Sequence, residues 1–237
     1  MLLFYTNDIK DDWATLSEEE TQHLNKVLRK RLGDQINFVD GKGGWYTGII
    51  FELSKKSALI QIQEKRQKQE LPYQFHLAIA PTKNINRIEW LLEKATEIGI
   101  HTIYPITSFH SERKIIKPVR LEKILQSAMK QSLNAFLPQL RPLQSFSDFL
   151  KTFEQNQEGP FEKYIAYIHP EIKLHLQDNY SPGQNVVILI GPEGGFSPQE
   201  ADLAIEHGFQ PVSLGESRLR TETAGLLATA IIQLKNL

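Results

Sequence analysis

The hydrophobic and polar positions of this chain change their spacing near residue 70. Before that point the apolar residues fall in short segments separated by turns such as Asp40–Gly44, which is typical of β-strands. Strands are predicted at 2–5, 35–39, 45–53 and 58–63. A helix is predicted after Ser17, where Ser17–Glu20 forms a capping box and Leu24, Val27 and Leu28 give an apolar stripe. The wholly polar run 64–70 predicts a linker, so residues 1–70 are expected to form a small β-barrel domain.

From residue 72 onward, strand patterns alternate with helix patterns. The strands are predicted at 75–80, 101–106, 163–168, 186–190 and 211–214. The helices are predicted at 84–98, 119–133, 198–208 and 223–234. Such alternation is typical of an α/β domain, in which helices cover both faces of a parallel sheet. The last of these helices is apolar on nearly all sides, so it is expected to be buried within the chain or against a second subunit.

Composition narrows the function classes. Hydrophobic residues make up 41% of the 237 residues, enough for a substantial core. Cysteine is absent, which excludes disulfides and cysteine-ligated zinc, and we expect no metal. The formal net charge is −1, so any nucleic acid must be attracted by local basic patches. The first ten residues lack a signal-peptide pattern, and a cytoplasmic protein that does not enter membranes is expected.

Two predicted strands end in glycine-bearing loops that lead into helices. Gly191–Ser197 follows the strand at 186–190, and the loop that contains Gly215 follows the strand at 211–214. In a parallel sheet both loops lie at the carboxyl edge, where ligands bind. The lysine-bearing phosphate loop and the G-x-G-x-x-G motif are absent, and Glu193 would repel an anion. A flat ligand with cationic character fits better, although an acidic surface turn remains the alternative.

These two stretches carry a family resemblance. Gly191–Ser197 reads GPEGGFS, and Leu214-Gly215 is followed by LRTETA at 219–224. Together they resemble the ribosomal small subunit methyltransferase E family, part of the SPOUT class of knotted, S-adenosylmethionine-dependent methyltransferases. The resemblance implies a SPOUT-type knotted parallel sheet over 72–237, preceded by a PUA-like RNA-binding domain over 1–70. It also implies a homodimer that methylates N3 of a uridine in 16S rRNA, within the 30S subunit.

The resemblance assigns candidate residues to the cofactor and to RNA. The cofactor would contact His169, Pro170, Ile190, Gly191, Glu193, Gly194, Gly195, Ser213, Leu214, Gly215, Leu219 and Thr221. Glu193 would offset the cofactor's positive charge or only brace the loop. Local basic clusters supply candidate RNA contacts: Arg29, Lys30, Lys83, Arg87, Arg113, Lys114 and Arg120. The alternative for these clusters is a solvated helix face or, near Arg29, compensation of the helix dipole.

Methylation of a uridine requires loss of the N3 proton and stabilisation of negative charge on the uracil oxygens. Arg220 is the candidate for the charge, with an ion pair to Glu222 or Glu193 as its alternative. Glu222 is the hypothetical base, or else a cap for the last helix. Trp45, Tyr46 and Phe109 are candidates for stacking on the displaced base, although core packing is favoured for each.

The resemblance is incomplete. Gln131–Asn134 and Ser217 depart from the family pattern, which leaves open which arginines contact RNA. Three rival functions stay open: a non-catalytic RNA-binding protein, a different nucleotide-binding α/β protein, and a SPOUT methyltransferase that acts on tRNA.

Overall fold

The computed structural model describes residues 2–153, 155, 159–169 and 174–237. The chain divides into two compact units. The first comprises the chain up to Glu70 together with Gln126–Leu137, and the second comprises Leu71–Leu125 and Pro138–Leu237. Each unit has its own sheet and hydrophobic core.

The first unit contains a six-stranded sheet in the order β1-β4-β5-β6-β3-β2. Its strands are β1 (Leu3–Tyr5), β2 (Ile9–Lys10), β3 (Trp13–Leu16), β4 (Gln35–Val39), β5 (Gly44–Leu53) and β6 (Ala58–Gln67). Neighbours pair antiparallel except β1 and β4. Buried and partly exposed residues alternate along β5, so one face of the sheet packs on the core. β2 and β3 were not predicted.

The predicted linker at 64–70 is partly wrong, because β6 continues to Gln67. Its polar end pairs with β5, from Thr47 opposite Glu64 to Gly44 opposite Gln67. From Glu64 onward the residues of β6 are all exposed. A strand with solvent on both sides has no apolar alternation, so the sequence pattern resembles that of a linker.

The helix of the first unit also differs from the prediction. Helix α1 (Glu18–Gln22) continues into a π-helical turn over His23–Val27. Ser17 Oγ accepts from the Glu20 backbone N–H, but the Glu20 carboxylate pairs with Lys130, so the capping box is incomplete. Val27 is 66% exposed and does not join the apolar stripe, because the wider π turn changes the register of the helix.

The second unit contains a seven-stranded parallel sheet in the order β10-β8-β7-β12-β11-β13, with β9 paired to β8. Its strands are β7 (Phe75–Ile79), β8 (Thr102–Thr107), β9 (Gln139–Leu140), β10 (Gln144–Ser145), β11 (Glu162–Ala166), β12 (Val186–Ile190) and β13 (Gln210–Val212). Every residue of β7 and β12 is buried, as the apolar runs predicted.

Helices cover both faces of this sheet. They are α2 (Ile85–Ile98), α3 (Pro118–Gln131, in the first unit from Gln126), α4 (Phe146–Phe153), α5 (Leu176–Asn179), α6 (Pro198–Glu206) and α7 (Thr221–Lys235). On one face α4 and α6 pack in a cluster with Ala78 and Leu189. On the other, Gly225 of α7 lies against Leu91 of α2 and Ile79 of β7. α4 and α5 were not predicted.

Candidate functional site

Four parallel strands end at the same level of the second sheet. Ile190, the last residue of β12, pairs with both Ile79 of β7 and Ala166 of β11, and Ala166 pairs with Val212 of β13. The segments after these strands therefore emerge side by side at one edge, as the sequence predicted for the glycine-bearing loops.

The glycine loop, residues 191–197, follows β12. Gly195 has a φ of +72°, and its N–H donates to the Pro192 carbonyl at 2.8 Å, which closes a tight turn. A Cβ at Gly191 would lie 3.1 Å from the backbone of Gly195 and Phe196, so only glycine fits there without a shift. The buried Phe196 ring packs against Phe146 and anchors the loop.

The predicted start of α6 is confirmed as a complete capping box. Ser197 Oγ accepts from the Glu200 N–H at 3.3 Å, and Glu200 Oε2 accepts from the Ser197 N–H at 2.9 Å. The far end of the glycine loop is thereby fixed to the first turn of a helix.

Glu193 reaches out of the glycine loop to the segment after β7. Its Oε1 atom accepts a hydrogen bond from the Lys83 backbone N–H at 3.0 Å. Arg218 Nη2 donates to the Glu193 carbonyl at 3.5 Å, while Lys83 Nζ pairs with Glu112 at 2.8 Å. Of the two roles that the sequence left open for Glu193, these contacts favour bracing of the loop.

The second loop, residues 213–220, follows β13. Ser213 Oγ donates to the Gly215 carbonyl and accepts from its N–H, both at 3.0 Å, and Gly215 has a φ of +129°. At the end of this loop Thr221 is buried and donates from Oγ1 to the Gly191 carbonyl at 3.0 Å. The two loops are therefore directly joined. Open space lies beside Gly195 and Gly215, where an added Cβ would meet no atom within 4 Å.

The remaining predicted cofactor residues lie at the same edge. Ile190 is buried at the end of β12, and Leu214 and Leu219 are half-buried in the second loop. His169, exposed beyond the end of β11, stacks on Tyr167 with ring centroids 6.2 Å apart. Pro170 lies outside the described residues.

Arg220 and Glu222 lie at the start of α7 beside a cleft of about 320 Å³. The cleft is lined by Asn86, Arg87, Trp90, Arg220, Glu222 and Thr223. Glu222 is buried, with Oε1 3.6 Å from Arg87 Nε, and its Oε2 has no hydrogen-bond partner among the described residues. Arg220 is exposed and forms no ion pair with a described residue, so the alternative pairing with Glu222 or Glu193 is wrong.

Several predicted RNA-binding cations have intramolecular partners. Arg120 pairs with Glu89, and Arg113 donates to the carbonyls of Thr82 and Lys83. Lys83 and Arg87 are paired as described above, which leaves Lys114 without a partner among the described residues. In the first unit Arg29 is exposed with a φ of +51°, and Lys30 Nζ donates to the Gln35 carbonyl. Their contact with RNA stays a prediction.

The three aromatic candidates have different environments. Tyr46 is buried and stacks on Phe38 at 5.0 Å, and Trp45 packs against a small buried cluster, so core packing is confirmed for both. Phe109 is 78% exposed, so core packing is wrong for this residue.

Sequence reasoning missed Asn86, Trp90 and Arg218 at the site. Trp90 is 44% exposed on α2, although its neighbours Leu91 and Leu92 are buried. A large aromatic residue outside the apolar stripe of a helix was a signal in the sequence. The contact of Arg218 with the glycine loop left no such signal.

The chain matches a family described as an RNA methyltransferase domain over residues 69–233. Residues 16–63 match an RNA methyltransferase PUA domain. Ribosomal RNA small subunit methyltransferase E of Buchnera aphidicola (strain APS) is 32% identical over 226 residues, which cover 92% of this chain and 86% of the relative. The enzyme of the same name from Synechocystis is 31% identical and covers 92% and 72%. The chain belongs to the ribosomal RNA small subunit methyltransferase E family.

Solved structures agree with this assignment. A probable rRNA-methyltransferase from Porphyromonas gingivalis is 41% identical, with a TM-score of 0.89 over 100% of this chain and 98% of the other. The methyltransferase E from Neisseria gonorrhoeae, bound to S-adenosyl methionine, is 30% identical with a TM-score of 0.84 over the same shares. The predicted fold class, an α/β parallel sheet preceded by a PUA-like unit, is confirmed.

The chain is thus a member of an rRNA methyltransferase family whose substrate is RNA. Among the described residues, no helix is long and apolar enough to cross a membrane. The described residues also contain no group of three or more His, Asp or Glu side chains that could together hold a metal ion.

Proposed function

We propose that this protein uses S-adenosylmethionine to methylate N3 of a specific uridine in 16S ribosomal RNA. The observation that carries the proposal is the joining of the two loops at one sheet edge by the Thr221–Gly191 hydrogen bond. The proposal is supported by the Neisseria gonorrhoeae relative bound to S-adenosyl methionine, with which this chain shares its fold along its whole length.

The residues at the edge fit such a cofactor. Open space beside Gly195 and Gly215 lets a ligand approach the backbone. The proposed contacts are His169, Pro170, Ile190, Gly191, Glu193, Gly194, Gly195, Ser213, Leu214, Gly215, Leu219 and Thr221. We also propose that the two loops belong to a trefoil knot. When bound, the cofactor supplies an electrophilic methyl group.

The protein's own groups would prepare the uracil. The Arg220 guanidinium has no ion-pair partner among the described residues and is available to stabilise negative charge on a uracil oxygen, because it offers a fixed fork of donors. Glu222 is the proposed base for the N3 proton. The role is supported by the position of Glu222 in the lining of the cleft, with Oε1 beside Arg87 and with Oε2 lacking a hydrogen-bond partner among the described residues.

We further propose that the protein acts on the 30S subunit in the cytoplasm as a homodimer. A stripe on α7 supports the dimer, since Thr223 and Leu234 are exposed and Leu227 and Ala230 are only half-buried. The proposed phosphate contacts are Arg29, Lys30, Lys83, Arg87, Arg113, Lys114 and Arg120. Sedimentation that shows only the 27.2 kDa monomer would exclude the dimer.

The test maps N3-methyluridine in ribosomal RNA from cells that lack the gene and from the same cells carrying it again. One 16S position should lose the modification and regain it with the wild-type gene, while tRNA is unchanged. Calorimetry should show binding of S-adenosylmethionine. Unchanged 16S methylation in the deletion strain, or loss of a tRNA modification alone, would contradict the proposal.

A further inference from the structure

A short turn after β8 holds an exposed aromatic ring in a fixed position. Ser108 and Ser111 are buried and bond to each other, with the Ser108 N–H donating to Ser111 Oγ at 2.9 Å. Between them the Phe109 N–H donates to Glu200 Oε1 at 2.8 Å, while the Phe109 ring is 78% exposed. The backbone is therefore anchored although the ring itself has little packing.

This turn rests on the glycine loop. His110 Nδ1 lies 3.1 Å from the Gly195 carbonyl oxygen, and a Cβ on Gly194 would come within 2.8 Å of the His110 Cβ. The Phe109 and His110 rings meet edge to face, with centroids 5.0 Å apart. Glu200, which holds Phe109, also completes the capping box at the end of the glycine loop. The exposed ring is thus positioned by the site itself.

Cations lie close to the same turn. Lys83 pairs with Glu112, and Arg113 donates to the carbonyls of Thr82 and Lys83. Lys114, the next residue, is exposed. Proteins that bind single-stranded RNA combine aromatic side chains, on which bases stack, with cationic groups that follow the phosphates. The exposed Phe109 ring beside the glycine loop, with these cations close by, offers the same combination of a stacking surface and positive charge.

We propose that Phe109 stacks on an unpaired nucleobase of the RNA substrate, with Glu200 and His110 as positioning residues. The inference rests on the proposed function, because it assumes an RNA substrate with a displaced base at this edge. A target base must leave its stack before the reaction, and an aromatic surface at the site replaces part of the lost stacking.

The experiment compares Phe109→Ala, Phe109→Trp and a matched control, Ile115→Ala, whose side chain is 77% exposed in the same segment. The substrate is the 30S subunit purified from cells that lack the gene. Phe109→Ala should raise the KM for 30S about tenfold, since stacking of one base contributes on that order. Phe109→Trp should stay within about twofold of wild type because tryptophan also offers a ring for stacking. Ile115→Ala should do the same because it leaves Phe109 in place. The Kd for S-adenosylmethionine should be unchanged in all three.

Other outcomes would overturn the inference in distinguishable ways. If wild type methylates but Phe109→Ala keeps its KM, the stacking role is wrong and the proposed function stands. If Phe109→Ala instead dissociates a dimer in sedimentation, the ring is a protein contact. If it weakens S-adenosylmethionine binding, the turn only supports the glycine loop. If wild type neither binds S-adenosylmethionine nor methylates, the proposed function itself fails.

Discussion

Glu193 can be tested for the two roles that its position allows. As a brace, its carboxylate holds the glycine loop through the 3.0 Å hydrogen bond from the Lys83 N–H. As a counter-charge, it would attract the sulfonium group of the bound cofactor. Glu193→Gln separates these roles because the amide oxygen still accepts the hydrogen bond while the charge is lost. Glu193→Ala removes both.

The expected magnitude follows from the exposure of this contact. A hydrogen bond in a protein contributes about 1 kcal/mol net, and this one is exposed to solvent. If bracing is needed for binding, Glu193→Ala should therefore weaken S-adenosylmethionine about fivefold. Glu193→Gln should stay within about twofold, since the acceptor is kept. A charge contact in water would be worth about as much, so the size of the alanine effect alone does not distinguish the roles.

Calorimetry with S-adenosylmethionine and with S-adenosylhomocysteine, which lacks the positive charge, gives the decisive comparison. The brace predicts that Glu193→Ala weakens both ligands equally and that added salt does not change the effect. The reasoning is refuted if Glu193→Gln loses as much S-adenosylmethionine affinity as Glu193→Ala and both variants bind S-adenosylhomocysteine normally.

Three further predictions concern the sheet and its loops. Burial lowers the pKa of His76 to about 3 from 6.5, so stability is full above pH 6.5 and falls below it as the unfolded chain binds a proton. Between pH 7 and pH 5 the free energy of unfolding of the wild type, measured with urea, should therefore fall by about 2 kcal/mol more than that of His76→Leu. An equal fall in the two proteins would contradict this. Thr221→Val leaves the Gly191 carbonyl without its donor and should destabilise the protein by about 1–3 kcal/mol, whereas Thr221→Ser should not; matching melting curves would exclude the effect. Gly191→Ala should weaken S-adenosylmethionine at least about tenfold in calorimetry, because the methyl group meets the Gly195 and Phe196 backbone; unchanged affinity would show that the loop adjusts freely.

The sequence predicted best those elements whose pattern is local. The bounds of β12 agree with its apolar run, since a strand buried on both faces needs no alternation. The capping box at Ser197 also depends on residues only three positions apart. Helix α4 had such a signal as well, with buried Phe146, Phe149, Leu150 and Phe153 at helical spacing, but its eight residues are short for a confident assignment.

Pairings between distant residues had no comparable signal. Glu222 and Arg87 lie on different helices, and the chain gives no indication that one carboxylate and one guanidinium will meet. The same holds for Glu193 and the backbone of Lys83, which decide how the glycine loop is held. Motifs thus predicted where the candidate site lies, whereas the contacts of its charged residues depended on the tertiary structure.

The basic residues show why this limit matters for RNA recognition. Along the sequence, Arg113, Lys114 and Arg120 form a positively charged cluster. In the fold, acidic residues of other elements neutralise part of this charge, as in the ion pair of Glu89 with Arg120. The Lys83–Glu112 pair is exposed on both sides, and exposed ion pairs are worth little, so a phosphate can replace that carboxylate at small cost. The paired cations therefore remain available to RNA while the free protein avoids a strong nonspecific field. With the overall charge near neutral, attraction to RNA depends on such local cations, and the proposed stacking of Phe109 beside the glycine loop would add affinity for an unpaired base.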